Sequence, residues 1–119
     1  MSYLFICYPK CSTCRKAEEF LKERGIAYRF RNIVEERPAA GELAKWIAAS
    51  GLPVRRFFNT SGMLYRAGKL SERLPAMSEE EQLELLSTDG MLVKRPLLVG
   101  DDGSVRVGFR PEEWADLKA

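Results

Sequence analysis

An α/β fold, built as a small mixed sheet with a helical middle, is predicted by three features of this 119-residue sequence. The first is an apolar run, Tyr3-Leu4-Phe5-Ile6-Cys7, that ends at Tyr8-Pro9-Lys10-Cys11-Ser12-Thr13-Cys14-Arg15-Lys16 and passes directly into a helical repeat of Ala17, Phe20, Leu21 and Arg24. The second is a strand pattern straight after that helix. The third is a pair of short strand patterns joined by a Gly/Asp turn near the end of the chain. The order is βαβ, several helices, then ββα.

Each element follows from local sequence. Tyr3 to Cys7 reads as a strand and Ser12 to Arg24 as a helix that Gly25 stops. Ile26 to Ile33 alternates, with Ile26, Tyr28, Phe30 and Asn32 on one side, and reads as a second strand. A strand, a short helix and a strand make a parallel, right-handed unit. Val34-Glu35-Glu36-Arg37-Pro38 is a polar turn, and Leu43, Trp46 and Ile47 lie on one face of a helix that begins near Pro38 and ends at Gly51-Leu52-Pro53. Pro53 to Phe58 is a turn or short helix, closed by Asn59-Thr60-Ser61-Gly62, and Leu70 and Leu74 mark another short helix after Gly68. Ser78-Glu79-Glu80-Glu81 is a helix start: the serine caps, Glu81 completes a capping box, and the acids favour the positive end of the helix dipole. That helix carries Leu83, Leu85 and Leu86 and runs to Asp89-Gly90. Leu97-Leu98-Val99 and Val105 to Gly108 are strands around the hairpin turn Gly100-Asp101-Asp102-Gly103, and Pro111 to Leu117 is a last helix with proline at its start. One domain is expected over residues 1–119, its two halves at about 1–37 and 91–119 and its helical insertion at about 38–90.

The chemistry centres on the first strand-to-helix junction. Cys11 stands where the first backbone N–H groups of the helix are free, a position that favours an anion such as a thiolate. Lys10, Arg15 and Lys16 add positive charge, and Cys14 follows three residues later within disulfide reach. A Cys-x-x-Cys after a strand and before a helix is the arrangement of a thioredoxin-like redox site, and the whole element order is the thioredoxin-like one with an insertion. Three rival readings exist. The cysteines as buried packing residues fit poorly with the polar Ser, Thr, Lys and Arg around them. A structural zinc site wants four ligands, and the chain has three cysteines and no histidine, so no metal is expected. The spacing Cys7-x3-Cys11-x2-Cys14 also suits an iron–sulfur cluster; against it stand the short chain and Cys7 at the end of an apolar strand. Cys7 itself is read as a packed strand residue or, failing that, an alternative resolving thiol.

Composition narrows the function classes. With 45% hydrophobic residues and a formal charge of +2, the chain suits one domain with a real core and calls for neither direct DNA binding nor a membrane surface. No leader pattern opens it and no run approaches a membrane span, so a cytoplasmic location is expected. Without histidine, no Ser-His-Asp or Cys-His hydrolase can be built. No Gly-rich phosphate loop is present. The acidic run Glu79-Glu80-Glu81 reads as a solvated helix start.

Taken together, Tyr8-Pro9-Lys10-Cys11-Ser12-Thr13-Cys14-Arg15-Lys16-Ala17, Phe57-Phe58-Asn59-Thr60-Ser61-Gly62, Asp89-Gly90-Met91-Leu92-Val93-Lys94-Arg95-Pro96-Leu97 and Val107-Gly108-Phe109-Arg110 closely resemble the arsenate reductase-like family, ArsC together with the Spx regulators. The resemblance covers essentially the whole chain. It implies that Cys11 is the nucleophile, that Arg95 and Arg110 surround an oxyanion, and that Pro96 is a cis proline facing the active-site cysteine. Arginine suits that role through its planar fork of donors. Three departures accompany it. Asn59 stands where arsenate reductases carry a third oxyanion arginine, Cys7 where they have a histidine, and Cys14 where they typically have a serine.

These readings imply a thiol–disulfide oxidoreductase. Cys11 attacks an oxidised sulfur or a small oxyanion, with Arg95, Arg110, Asn59 and Pro96 lining the substrate site. Cys14 then resolves the adduct, leaving a redox-active Cys11–Cys14 disulfide. No bound cofactor is needed; an external thiol system such as glutathione, glutaredoxin or thioredoxin reduces the disulfide. The resemblance also implies two alternatives. One is an Spx-like redox switch that binds the RNA polymerase alpha subunit, which Gly51, Arg95 and the Cys-x-x-Cys suit although the chain ends soon after Arg110. The other is genuine arsenate reduction. A monomer is expected.

Overall fold

In the computed structural model of the chain, which describes residues 1–118, the strands are β1 (Ser2–Cys7), β2 (Ala27–Asn32), β3 (Leu97–Gly100) and β4 (Val105–Val107). The last residue of the expected 1–119 domain lies outside the described residues. The α-helices are α1 (Ser12–Glu23), α2 (Ala40–Ser50), α3 (Met63–Ala67), α4 (Leu70–Arg73), α5 (Glu79–Leu86) and α6 (Pro111–Trp114), with short 3-10 turns at Val54–Phe57, Leu74–Ala76 and Gly90–Leu92. The chain forms two compact units, Met1–Asn32 with the segment from Arg95 onward, and Ile33–Lys94.

The first unit is a mixed four-stranded sheet in the order β2-β1-β3-β4. β1 runs parallel to β2 and antiparallel to β3, and β3 pairs antiparallel with β4. A strand with a neighbour on both sides is read as a near-continuous apolar run, and β1 obeys: Tyr3, Phe5, Ile6 and Cys7 are all buried. Helix α1 turns Cys14, Ala17 and Leu21 inward, and these join Tyr3, Phe5, Cys7, Ile26, Leu98 and Trp114 in the core. The helix ends as expected. Gly25, at φ 64°, lets its own N–H reach Lys22 O at 3.1 Å while the Ile26 N–H reaches Leu21 O at 3.0 Å. This double closure needs a left-handed residue that glycine adopts without steric cost.

The hairpin from β3 to β4 turns at the expected Gly100 to Gly103, where the Asp102 carboxylate accepts from both the backbone and the hydroxyl of Ser104. Helix α6 is shorter than the expected Pro111 to Leu117. Beyond Trp114 the Ala115 carbonyl accepts from Arg24 Nη1 at 3.1 Å, so a carbonyl at the helix end is satisfied from the C-cap residue of α1. Trp114 is fully buried and meets Phe109 edge-on at 4.8 Å between ring centroids.

Helices and turns make up the second unit. α2 buries Leu43 and Trp46 and ends at Gly51, φ 72°. α5 carries the expected capping box, with Ser78 Oγ accepting from the Glu81 N–H at 3.1 Å and the Glu81 carboxylate accepting from the Ser78 N–H at 2.9 Å. Helix α3 has no counterpart in the sequence pattern because Met63 and Leu64 are exposed, and none of its five residues is buried to mark an apolar face. A single antiparallel bridge joins Phe58 to Val93, flanked by Lys94 N–H to Phe57 O and Asn59 N–H to Leu92 O, both 2.7 Å.

Candidate active site

Strand register brings three loops to one end of the sheet. Ile6 pairs with Leu97, and Leu97 with Val107. One residue further on lie Cys7, which leads into the cysteine loop, Pro96, preceded by Arg95, and Gly108, two residues before Arg110. The Pro96 carbonyl accepts from the Gly108 N–H at 2.8 Å, which ties the last two together. The Arg95-Pro96 peptide bond is cis, as the resemblance implied.

Cys11 is the N-cap residue of α1. Its backbone is extended at φ −91° and ψ 123°, its N–H donates to Tyr8 O at 3.0 Å, and its carbonyl accepts from Arg15 N–H at 3.1 Å. The turn from Tyr8 to Cys11 therefore ends where the helix begins, as the junction predicted. The Cys11 side chain is half-buried and remains a free thiol. Lys10, Ser12, Thr13, Arg15 and Lys16 around it are exposed.

The disulfide differs from the expected one. Cys14 is bonded to Cys7, across a Cα–Cα distance of 5.9 Å, and not to Cys11. The reason is register. Cys14 lies on the face of α1 that carries Ala17 and Leu21, all of them buried, so its sulfur is turned toward the end of β1. Cys7, the last residue of that strand, is there to meet it, and a sulfur in one disulfide has no valence for a second. Cys7 is thus both the packed strand residue and a bonded one, and two of the three sulfurs that an iron–sulfur cluster would need are held by each other. The signal was present in the sequence as the spacing Cys14, Ala17, Leu21. The Tyr8 N–H donates to Cys14 Sγ at 3.4 Å, a contact that no pattern announced.

Of the other expected site residues, Arg95 comes into the cysteine loop: its guanidinium carbon lies 5.7 Å from the centre of the Tyr8 ring, within cation–π range. Arg110 is exposed at the N-cap of α6, its carbonyl accepting from Glu113 N–H at 2.9 Å. Its neighbour Phe109 fixes this segment by packing edge-on to Phe20 of α1 at 5.5 Å. Pro96 is buried behind Arg95. Asn59 belongs to the second unit, where it shapes a turn: its Oδ1 accepts from Ser61 Oγ at 3.2 Å and its carbonyl from Gly62 N–H at 3.2 Å. The arrangement in the first unit offers one accessible thiol at a helix start, packed against the core cluster that holds the disulfide, and two arginines on adjoining loops. Such a site can exchange sulfur–sulfur bonds and hold an anion.

The ArsC family profile matches residues 7–117. Among curated proteins, the uncharacterized protein YusI of Bacillus subtilis is 49% identical over 116 residues, 98% of each chain. The global transcriptional regulator Spx of Listeria innocua is 27% identical over 105 residues, 88% of this chain and 78% of the regulator. Among solved structures, a putative ArsC family related protein from Bacteroides fragilis superposes with a TM-score of 0.94 at 56% identity, covering 99% of this chain and all of that one. An arsenate reductase from Vibrio cholerae superposes with a TM-score of 0.86 at 27% identity, covering 99% and 98%.

Proposed function

This chain belongs to the ArsC family, and on that premise we propose that it is a thiol–disulfide oxidoreductase in which Cys11 is the attacking thiol and Cys14 the resolving one. The observation that carries the reading is the free, half-exposed Cys11 at the start of α1, packed against a core cluster that holds a disulfide. In the reduced protein the Cys11 thiolate attacks a sulfur of a disulfide substrate and expels one half of it. Cys14 attacks Cys11 Sγ in the mixed disulfide and expels the other half, so that two electrons pass from the protein to the substrate. Arg95 and Arg110 hold an anionic portion of the substrate, and the buried Pro96 anchors the backbone next to Arg95. An external cytoplasmic thiol, such as glutathione, glutaredoxin or thioredoxin, returns the electrons. The test is turnover of a small glutathione-type mixed disulfide with an excess of glutathione. Cys11→Ser abolishes turnover and Cys14→Ser accumulates an adduct on Cys11; turnover unchanged by Cys11→Ser removes the assignment.

A second reading, a redox-sensing transcriptional regulator acting through the RNA polymerase alpha subunit, has the likeness to Spx in its favour. Pull-down with that subunit under oxidising and reducing conditions decides it, and no binding in either state eliminates it. Arsenate as the oxyanion has the Vibrio cholerae structure in its favour and Asn59 against it, and complementation of an arsenate-sensitive host tests it.

A further inference from the structure

The proposed exchange uses Cys11 and Cys14 and leaves Cys7 without a part, yet Cys7 is the residue to which Cys14 is bonded. We infer that Cys7 is the third member of a sulfur relay: the oxidised pair formed at Cys11 is passed inward to Cys7–Cys14, and that buried bond exchanges with the outside only through Cys11. The inference rests on the reading of Cys11 as an attacking thiol.

Three observations carry it. Cys7 is 0% exposed and Cys14 2%. A thiolate attacks a disulfide along the sulfur–sulfur axis, so a dissolved reductant needs access that neither sulfur offers. Cys11 is the exception, since it is half-buried, reachable from solvent and packed against the same cluster that contains Cys7 and Cys14. Finally, the Tyr8 N–H lies 3.4 Å from Cys14 Sγ. A hydrogen bond to the charged form favours it, so this amide steadies Cys14 Sγ as the thiolate that attacks the adduct on Cys11 and that is released when an external thiol attacks Cys11 Sγ.

The steps balance. After Cys11–Cys14 has formed, the Cys7 thiolate attacks Cys14 Sγ. The Cys7–Cys14 bond forms, the Cys11–Cys14 bond breaks, and the electron pair leaves on Cys11, which takes up the proton that Cys7 gave up. No outside oxidant is consumed, and Cys11 is again a free thiol, the state seen in the structure. Reduction runs the exchange backward. The Cys11 thiolate attacks Cys14 Sγ and releases Cys7, a first external thiol attacks Cys11 Sγ and releases Cys14, and a second releases the first as a disulfide. Two external thiols are oxidised and two protein thiols, Cys7 and Cys14, are formed.

The experiment is the rate at which dithiothreitol reduces the oxidised, folded protein, with samples quenched in acid, alkylated and counted by mass. The wild type is expected to gain two alkyl groups at least about tenfold faster than Cys11→Ser, the exchange route being closed in the variant. In urea, where every sulfur is exposed, the two proteins react at equal rates. The Cys7→Ser variant, oxidised, is expected to hold its disulfide between Cys11 and Cys14. Equal native rates for wild type and Cys11→Ser, or a Cys7→Ser variant that forms no internal disulfide, overturn the relay. Both outcomes are separable from failure of the oxidoreductase reading, which is judged by turnover of the mixed disulfide in Cys11→Ser.

Discussion

Breaking the Cys7–Cys14 bond should cost the folded protein a measurable and calculable amount. The bond closes a short loop, with a sequence separation of 7. In the chain-entropy treatment, a loop of that length removes about 8 cal/mol/K from the unfolded ensemble, or about 2.4 kcal/mol at 25 °C. Globular chains gain roughly 2.1 cal/mol/K per residue on thermal unfolding, so about 250 cal/mol/K applies to this one, and the melting temperature of the reduced protein should lie about 10 °C lower. The clean comparison uses Cys11→Ser, in which no exchange can blur the pairing. One portion is kept oxidised; the other is reduced in urea and refolded. Urea titrations followed by circular dichroism at matched pH then give the midpoints, and peptide mapping verifies the bond. With a slope of about 1–3 kcal/mol/M, the oxidised midpoint should exceed the reduced one by about 1 M. Coincident midpoints, with the bond mapped to Cys7 and Cys14, would refute the argument that this link constrains the unfolded chain.

Four other expectations follow from individual contacts. A Cβ on Gly90 would collide with the backbone carbonyl of Ile33, and because neither partner is a yielding side chain, Gly90→Ala should destabilise by about 1–3 kcal/mol in the same urea assay. Burial, then the 2.7 Å hydrogen bond that Tyr28 donates to Glu18 Oε2 and the charge of that carboxylate, push the Tyr28 phenol up to about 12. Its folded value lies above the unfolded one, so the stability it contributes is complete below about pH 10 and lost as pH rises toward 12. Tyrosinate absorbance in the folded protein should show a late phenol that Glu18→Gln moves earlier. Ser78→Ala removes the hydroxyl that caps α5 and should cost about 1 kcal/mol. Hydrogen bonds from the Ser78 backbone, then its side chain, hold the Glu81 carboxyl below its ordinary range. That contribution is present above the ordinary carboxylate value and lost as pH falls, so stability curves of wild type and Glu81→Gln should converge in acid.

The elements that were legible share one property: a local rule produces them. Gly25 and Gly51 stop helices because only a left-handed residue closes those turns. The acids after Ser78 start one, and the Gly/Asp turn closes the hairpin. Helix α3 was invisible because Met63 and Leu64 face solvent and leave no periodicity, and just past the end of α6 the Ala115 carbonyl is met by Arg24, a partner far away in sequence that no local rule announces. The place of Cys11 was equally legible, since the apolar strand before it and the helical repeat after it set it at the junction, where it is the N-cap residue of α1.

By itself the sequence determined the α/β order and the place of Cys11 at a helix start, because spacing along the chain is enough to specify both, while its motifs carried the resemblance to the ArsC family that the profile match shows. Which cysteine joins Cys14 was decided only in three dimensions. The spacing Cys11-x-x-Cys14 names a partner by proximity along the chain, whereas the face of α1 that packs on the sheet turns Cys14 inward to the end of β1. Burial of that face against Phe5, Ile26 and Leu98 is a property of the folded core, and it selects Cys7.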